Sequence, residues 1–222
     1  MDSMVNKYTA ARRLRSEDAY SPDGRHDMRP EYPTIVYTQI LRQLYPDVPV
    51  VLGGIEASLR RVMHFDYWQE RFRPSILVDS NADMITYGMG EKPTIELCRR
   101  LTDALEESHP SLYYDENGYS YITRDTFRQV AQLQNEIPQT VSLYEHSHIP
   151  GGIREDDIVL HSYEKCLKEP RLHADNFRHV EEESNKLHAQ RLLQQTNGQW
   201  VVVNPPYPPL TQEELDHSFD LP

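Results

Sequence analysis

The chain has 222 residues, 38% of them apolar, which suits one large or two small domains and is too apolar for a disordered polymer. Its two cysteines, Cys98 and Cys166, exclude a secreted disulfide framework, and no apolar run approaches the roughly 18 residues of a membrane helix. The net charge of −12 is uneven: residues 1–78 hold 11 Lys/Arg against 10 Asp/Glu, and residues 79–222 hold 12 against 25. That balance argues against a nucleic-acid surface, which needs clustered basic side chains, and fits a solvated acidic face.

Residues 1–31 are polar, and MDSMVNKYTAARRLR lacks the apolar core of a signal peptide, so the expected location is cytoplasmic. TIVYTQILRQLY (34–45) places Ile35, Thr38, Leu41 and Leu44 or Tyr45 at helical spacing behind Pro33. VPVVLGG (48–54) reads as a buried parallel strand, apolar on both faces and ending in Gly53-Gly54. A helix is expected beyond it, from about Glu56 to Met63. SILVD (75–79) and ADMITYG (82–88) read as two further strands. KPTIELCRRLTDALEE (92–107) reads as a helix with Pro93 in its first turn. Its expected apolar stripe is Ile95, Cys98, Leu101 or Thr102, and Leu105. Strand, glycine turn and helix thus occur twice, the order of a parallel α/β sheet.

After Pro110 the character changes. SLYYDENGYSYIT reads as a hairpin around Asn117-Gly118. TVSLY (140–144) and DIVLHS (157–162) are strand candidates. A long helix is expected from about Pro170 to Gln195, with Leu172, Phe177, Val180, Leu187 and Leu192 or Leu193 inward and Asn197-Gly198 as its stop. QWVVVN (199–204) is a strand, PPYPPL (205–210) a stiff linker, and Thr211 with Glu214 a capping box for a last helix. The expected fold is α/β: a Rossmann-like, mostly parallel sheet with flanking helices over 1–110, then a smaller α+β portion over 111–222.

Several residues carry candidate chemistry. Gly53 and Gly54 permit close backbone approach to a ligand, or only a tight turn. Gly88, Gly90 and Glu91 occupy the matching place in the second unit, where Glu91 favours a helix N-terminus or meets a hydroxyl. His64, Asp66 and Tyr67, within HFDYW, combine an acid–base pair with an aromatic wall, or simply anchor a loop. Arg60 and Arg61 are placed to hold a phosphate or carboxylate, or to pair with the chain's own acids. His146 and His148 share one strand face but lack a further ligand at obvious spacing, so an exposed loop competes with a metal site. His161, His173, His179, His188 and His217 read as surface or helix-face residues. Cys98 reads as a core residue, and nothing marks Cys166 as reactive.

VPVVLGGIEASLRRVMHFDYW (48–68), SILVDSNADMITYGMGEKPTIELCRRL (75–101) and the closing WVVVNPPYPPLTQEELDHSFDLP (200–222) resemble the N-terminal region of the YgiQ-type radical SAM proteins. The likeness is concentrated at GGIEASLRR, DSNAD…YGMGE and VVVNPP, and is diffuse over 110–195. PVVLGG and YGMGE also resemble the cobalamin-binding Rossmann-like domain that precedes many radical SAM cores. No Asp-x-His-x-x-Gly is present, so that likeness implies the fold and not cobalamin binding.

The resemblance implies a parent protein with a [4Fe–4S] cluster, held by a C-x-x-x-C-x-x-C motif, and S-adenosylmethionine. Two distant cysteines supply neither, so the chain itself is expected to hold no cluster, no metal and no catalytic residue. It reads as an accessory, substrate-binding fragment whose partner is the radical SAM core of the same polypeptide, with no nucleic acid and no membrane. The expected ligand residues are Gly53, Gly54, Glu56, Ser58, Arg60, Arg61, His64, Asp66, Tyr67, Gly88, Gly90 and Glu91. The alternatives are a protein-binding α/β module using its acidic, Tyr-rich surface, and a metal-dependent hydrolase built on His146 and His148.

Overall fold

A computed structural model of the chain describes residues 6–108, 113–114, 120–133, 136–145 and 149–220. Its first half runs α1 (Pro33–Leu44), β1 (Val51–Leu52), α2 (Gly54–Leu59), β2 (His64–Asp66), β3 (Arg71–Arg73), α3 (Ile76–Ser80), β4 (Met84–Thr86) and α4 (Glu91–Ser108). The second half runs β5 (Tyr113–Tyr114), β6 (Ser120–Tyr121), α5 (Arg124–Leu133), β7 (Thr140–Glu145), β8 (Ile158–Leu160), α6 (Tyr163–Lys168), α7 (Arg171–Ser184), β9 (Leu192–Thr196), β10 (Gln199–Val203) and α8 (Gln212–Phe219).

Six strands form one sheet in the order β1-β4-β7-β10-β9-β8, so both halves of the sequence share it. The fold is α/β. The sheet is mixed: β1–β4 and β8–β9 are parallel, and the three pairs between them are antiparallel. β4 and β10 are buried on both faces. Ile85, Val141, Val201 and Val203 meet Ile35, Ala57, Ile76 and Leu77 on one face. On the other, Met84 packs with Leu97 of α4 and Phe127 of α5, and Trp200 and Val202 pack with Tyr144 and Leu193.

Five expectations are corrected. SILVD is the short helix α3, not a strand. The Ser75 hydroxyl accepts the Leu77 N–H at 3.2 Å, and Asn81 ends the helix in a left-handed conformation. An apolar run this short fits either element by pattern alone. β1 is an edge strand of the described sheet, with Val51 39% exposed. α2 spans Gly54–Leu59, because the chain turns at Arg60 to enter β2.

The long helix expected to Gln195 ends at Ser184, and Phe177 and Leu187 lie exposed. Residues 192–203 form the β9–β10 hairpin, with Asn197 and Gly198 both at positive φ (51° and 79°), as a two-residue hairpin turn demands. The polar Gln194 is fully buried there: its side chain accepts the Met63 N–H at 2.8 Å and donates to His161 O at 3.1 Å.

On α4 the buried face is rotated from the expected stripe. Leu97 is buried, while Ile95 and Cys98 are exposed, because α5 covers the Leu97 side. The β5–β6 pair is present, although its Asn117-Gly118 turn lies outside the described residues. The capping box at Thr211 and Glu214 is formed, and Glu214 meets Lys92 at 2.7 Å, tying α8 to α4. Among the described residues no helix is long and apolar enough to cross a membrane.

Candidate functional site

The pairing directions bring the carboxyl ends of β1, β4 and β10 to one sheet edge. In an α/β sheet, ligands are received at such an edge. Two of these ends, those of β1 and β4, carry glycine turns, and β10 runs on into the proline linker. Gly53 leads into α2, and Gly54 has φ +80°, a conformation that only glycine adopts without strain. After β4, Gly88 has φ +68°, and a Cβ there would lie 3.3 Å from Gln139 Nε2. Gly90 lies against Thr86, and exposed Glu91 opens α4.

Polar side chains lock these turns together. The Ser58 hydroxyl donates to Gly54 O at 2.8 Å and accepts the Gly88 N–H at 3.0 Å. Gln139 Nε2 donates to Tyr87 O at 2.7 Å, and also to Met89 O. The Tyr87 hydroxyl donates to Asn204 O at 2.5 Å. Buried Asn204 donates its amide to Ile137 O and Thr140 Oγ1, both at 3.1 Å. Sequence reasoning missed Tyr87, Gln139 and Asn204. Tyr87 and Asn204 lie inside YGMGE and VVVNPP, but Gln139 had no local signal.

Two cavities flank the Gly88 turn. One, of 270 Å³, is lined by Arg61, Tyr87 and Ser184 among others. The other, of 230 Å³, lies between Met89, Lys92 and the Tyr207 linker. Arg61 Nη1 donates to Ser58 O at 2.6 Å, Nη2 donates to Ser184 Oγ at 3.3 Å, and the guanidinium stands 5.1 Å from the Tyr87 ring centre. Burial raises the Tyr87 phenol above its ordinary range, with Arg61 opposing.

The other expected residues lie elsewhere. Arg60, His64, Asp66 and Tyr67 line a 550 Å³ cavity walled by Tyr8 and Trp68, whose rings are 4.8 Å apart. Asp66 closes the β2–β3 turn by accepting the Trp68 and Gln69 amides at 2.8 and 2.9 Å. Burial raises its carboxyl, but those amides, Tyr32 and Arg60 hold it below the ordinary range. Burial, helped by Arg60, lowers His64 to about 4, so its imidazole is neutral. Its Nδ1–H donates to Val62 O at 3.4 Å, leaving Nε2 as an acceptor. Arg12 stacks 4.4 Å from the exposed Tyr67 ring. Glu56 lines none of these three cavities: it is buried, accepting from Thr34 at 2.8 Å and from Arg60 at 2.9 Å. The twelve expected residues therefore divide into a sheet-edge group, an aromatic-cavity group and one internal ion-pair partner.

A family model described as radical SAM N-terminal matches residues 1–222. The chain belongs to the radical SAM N-terminal family. A UPF0313 protein of Bacteroides thetaiotaomicron is 55% identical over 222 residues, covering 100% of this chain and 33% of the relative. A UPF0313 protein of Porphyromonas gingivalis is 49% identical, with 31% of its length covered. UPF0313 protein YgiQ of Shigella flexneri is 35% identical over 249 residues, with 34% covered. The chain thus spans about a third of the curated relatives it matches. No solved structure matches.

Cys98 lies exposed on α4 and Cys166 buried on α6, so the thiols of this radical SAM N-terminal chain cannot supply the three cysteines of a radical SAM cluster. Burial raises the Cys166 thiol, the opposite of an activated nucleophile. Among the described residues no group of three or more His, Cys, Asp or Glu is arranged for a metal, and His146 and His148 lie outside them.

Proposed function

We propose that this chain is the accessory domain of a radical SAM protein, whose glycine-turned sheet edge faces the catalytic core of the same polypeptide and shapes its substrate site. The observation that carries the reading is the course of β10. It ends at that edge, and Asn204-Pro205 continues directly from it, with the Gln139 N–H donating to Pro205 O at 2.8 Å. The proline linker therefore starts beside Gly88 and leads into α8 on α4, and the curated relatives are about three times as long as this chain. The cluster and S-adenosylmethionine belong, in this reading, to that further sequence.

Hydrogen exchange on the 222-residue chain and on the full-length protein, prepared anaerobically, tests the reading. The longer protein is expected to hold about four irons. Amides of Gly54, Gly88 and Gly90 are expected to exchange more slowly in it. Unchanged exchange at the edge would remove the facing role, and a full-length protein without iron would remove the radical SAM assignment.

A further inference from the structure

Every other buried or half-buried arginine among the described residues pairs with a carboxylate; Arg60 does so with Glu56, and Arg191 with Asp157. Half-buried Arg61 has no ion-pair partner among the described residues, and its buried Nε donates to nothing. Glu181 acts on it only at longer range, and burial lowers the guanidinium despite that carboxylate and Tyr87. A charge withdrawn from water without a counter-ion is costly, and an arriving anion would relieve that cost. The group lines the 270 Å³ cavity at the sheet edge.

We infer that this cavity is a binding site for a small monocarboxylate with an apolar body, its carboxylate on Arg61. Tyr87, Leu192, Val203, Pro205 and Pro206 supply apolar walls. Glu183 also lines the cavity, its carboxylate already accepting from Lys186 Nζ at 2.5 Å and Gln190 N–H at 2.7 Å. A phosphate dianion would meet the repulsion of Glu183 and Glu181, whereas a single negative charge neutralises one guanidinium. The volume suits a small acid and not a nucleotide. The site deepens the substrate-shaping reading above, but its test needs no iron, so the two can fail separately.

The test is a titration of the ¹⁵N-labelled 222-residue chain with isovalerate, following the Arg61 Nε–H and Gly88 N–H resonances. Isovaleramide, the neutral isostere, and inorganic phosphate serve as comparisons. Isovalerate is expected to give saturable shifts at both groups, isovaleramide none, and phosphate weaker ones. Arg61→Gln should weaken isovalerate binding roughly tenfold or more. Ala189→Phe, which fills the cavity and leaves the guanidinium in place, should abolish it, and this variant decides the matter if Arg61→Gln does not fold. Absence of saturable shifts, equal binding of the amide, tighter binding of phosphate, or unchanged binding by Ala189→Phe would each overturn the assignment.

Discussion

The Gly88 backbone N–H donates to the Ser58 hydroxyl at 3.0 Å, so the turn after β4 hangs from the helix that follows β1. Two loops distant in sequence are thereby held at one sheet edge. Ser58→Ala removes the acceptor and also the bond to Gly54 O. The expected cost is about 1 kcal/mol, read as a lower urea midpoint, with faster exchange of the Gly88 amide. An unchanged exchange rate would show that the two turns are positioned by their strands alone.

Asp83 joins three elements at the opposite edge. Its carboxylate has no exposed surface and meets Arg42 of α1 and, at 2.5 and 3.1 Å, Arg124 and Arg128 of α5; it also accepts the Val50 N–H at 2.9 Å. Burial raises this carboxyl, but Arg124, the Val50 N–H and Arg42 outweigh it and hold the group below the ordinary 3.8. Its stabilising contribution is therefore complete above that value and lost as acid carries the pH below it. Asp83→Asn leaves buried arginines uncompensated, with an expected loss of about 3 kcal/mol. Chemical denaturation at neutral pH checks this, and a loss well under that figure would mean that α1 and α5 are held by their apolar faces.

His64 gives the chain an acid sensitivity. Arg60 and Arg73 oppose its protonation, Asp66 favours it, and burial dominates, leaving the folded value at about 4 against the ordinary 6.5. Between those values the unfolded chain binds a proton that the folded chain refuses. Stability is complete above about 6.5 and declines on acidification, by at most about 1.4 kcal/mol per pH unit. His64→Gln should flatten the fall in urea midpoint between neutral pH and about pH 5. An equal fall in wild type and variant would assign the sensitivity to other groups.

The β9–β10 turn depends on positive φ at Asn197 and Gly198. Gly198→Ala forces an L side chain into that region, at about 1–2 kcal/mol, whereas Asn197→Gly is expected to fold as well as the parent. Thermal melts of the two variants check the pair. Equal melting temperatures would contradict the left-handed turn.

Much of the site edge was legible because glycine at a strand end is a backbone signal. VPVVLGG and ADMITYG each gave a strand ending at the right turn. Longer-range features were not. SILVD became α3 because Ser75 caps it, and the same residue donates to Arg61 O at 2.7 Å, a contact that no local pattern encodes. Residues up to Gln195 read as the end of a helix with Leu192 or Leu193 inward, yet Gln194 lies in β9, buried by bonds to Met63 and His161. Asn-Gly carries one preference, positive φ, which ends helices and turns hairpins alike. Read against the valines that follow it, the second meaning applied. His64 and Asp66 separated from the glycine edge because β2 and β3 form a ribbon of their own.

The central position of β10 has a consequence for biosynthesis. The strand lies between β7 and β9, yet it is the last of the ten described strands to be translated. A nascent chain emerging from the ribosome carries β1, β4 and β7 as one ribbon and β8 and β9 as another, with nothing to bridge them until Val203 is made. The β9–β10 hairpin closes locally, but docking it on β7 is a distant contact and therefore slow. Until that moment β7 has an open edge, the kind of surface that chaperones shield and that aggregation exploits.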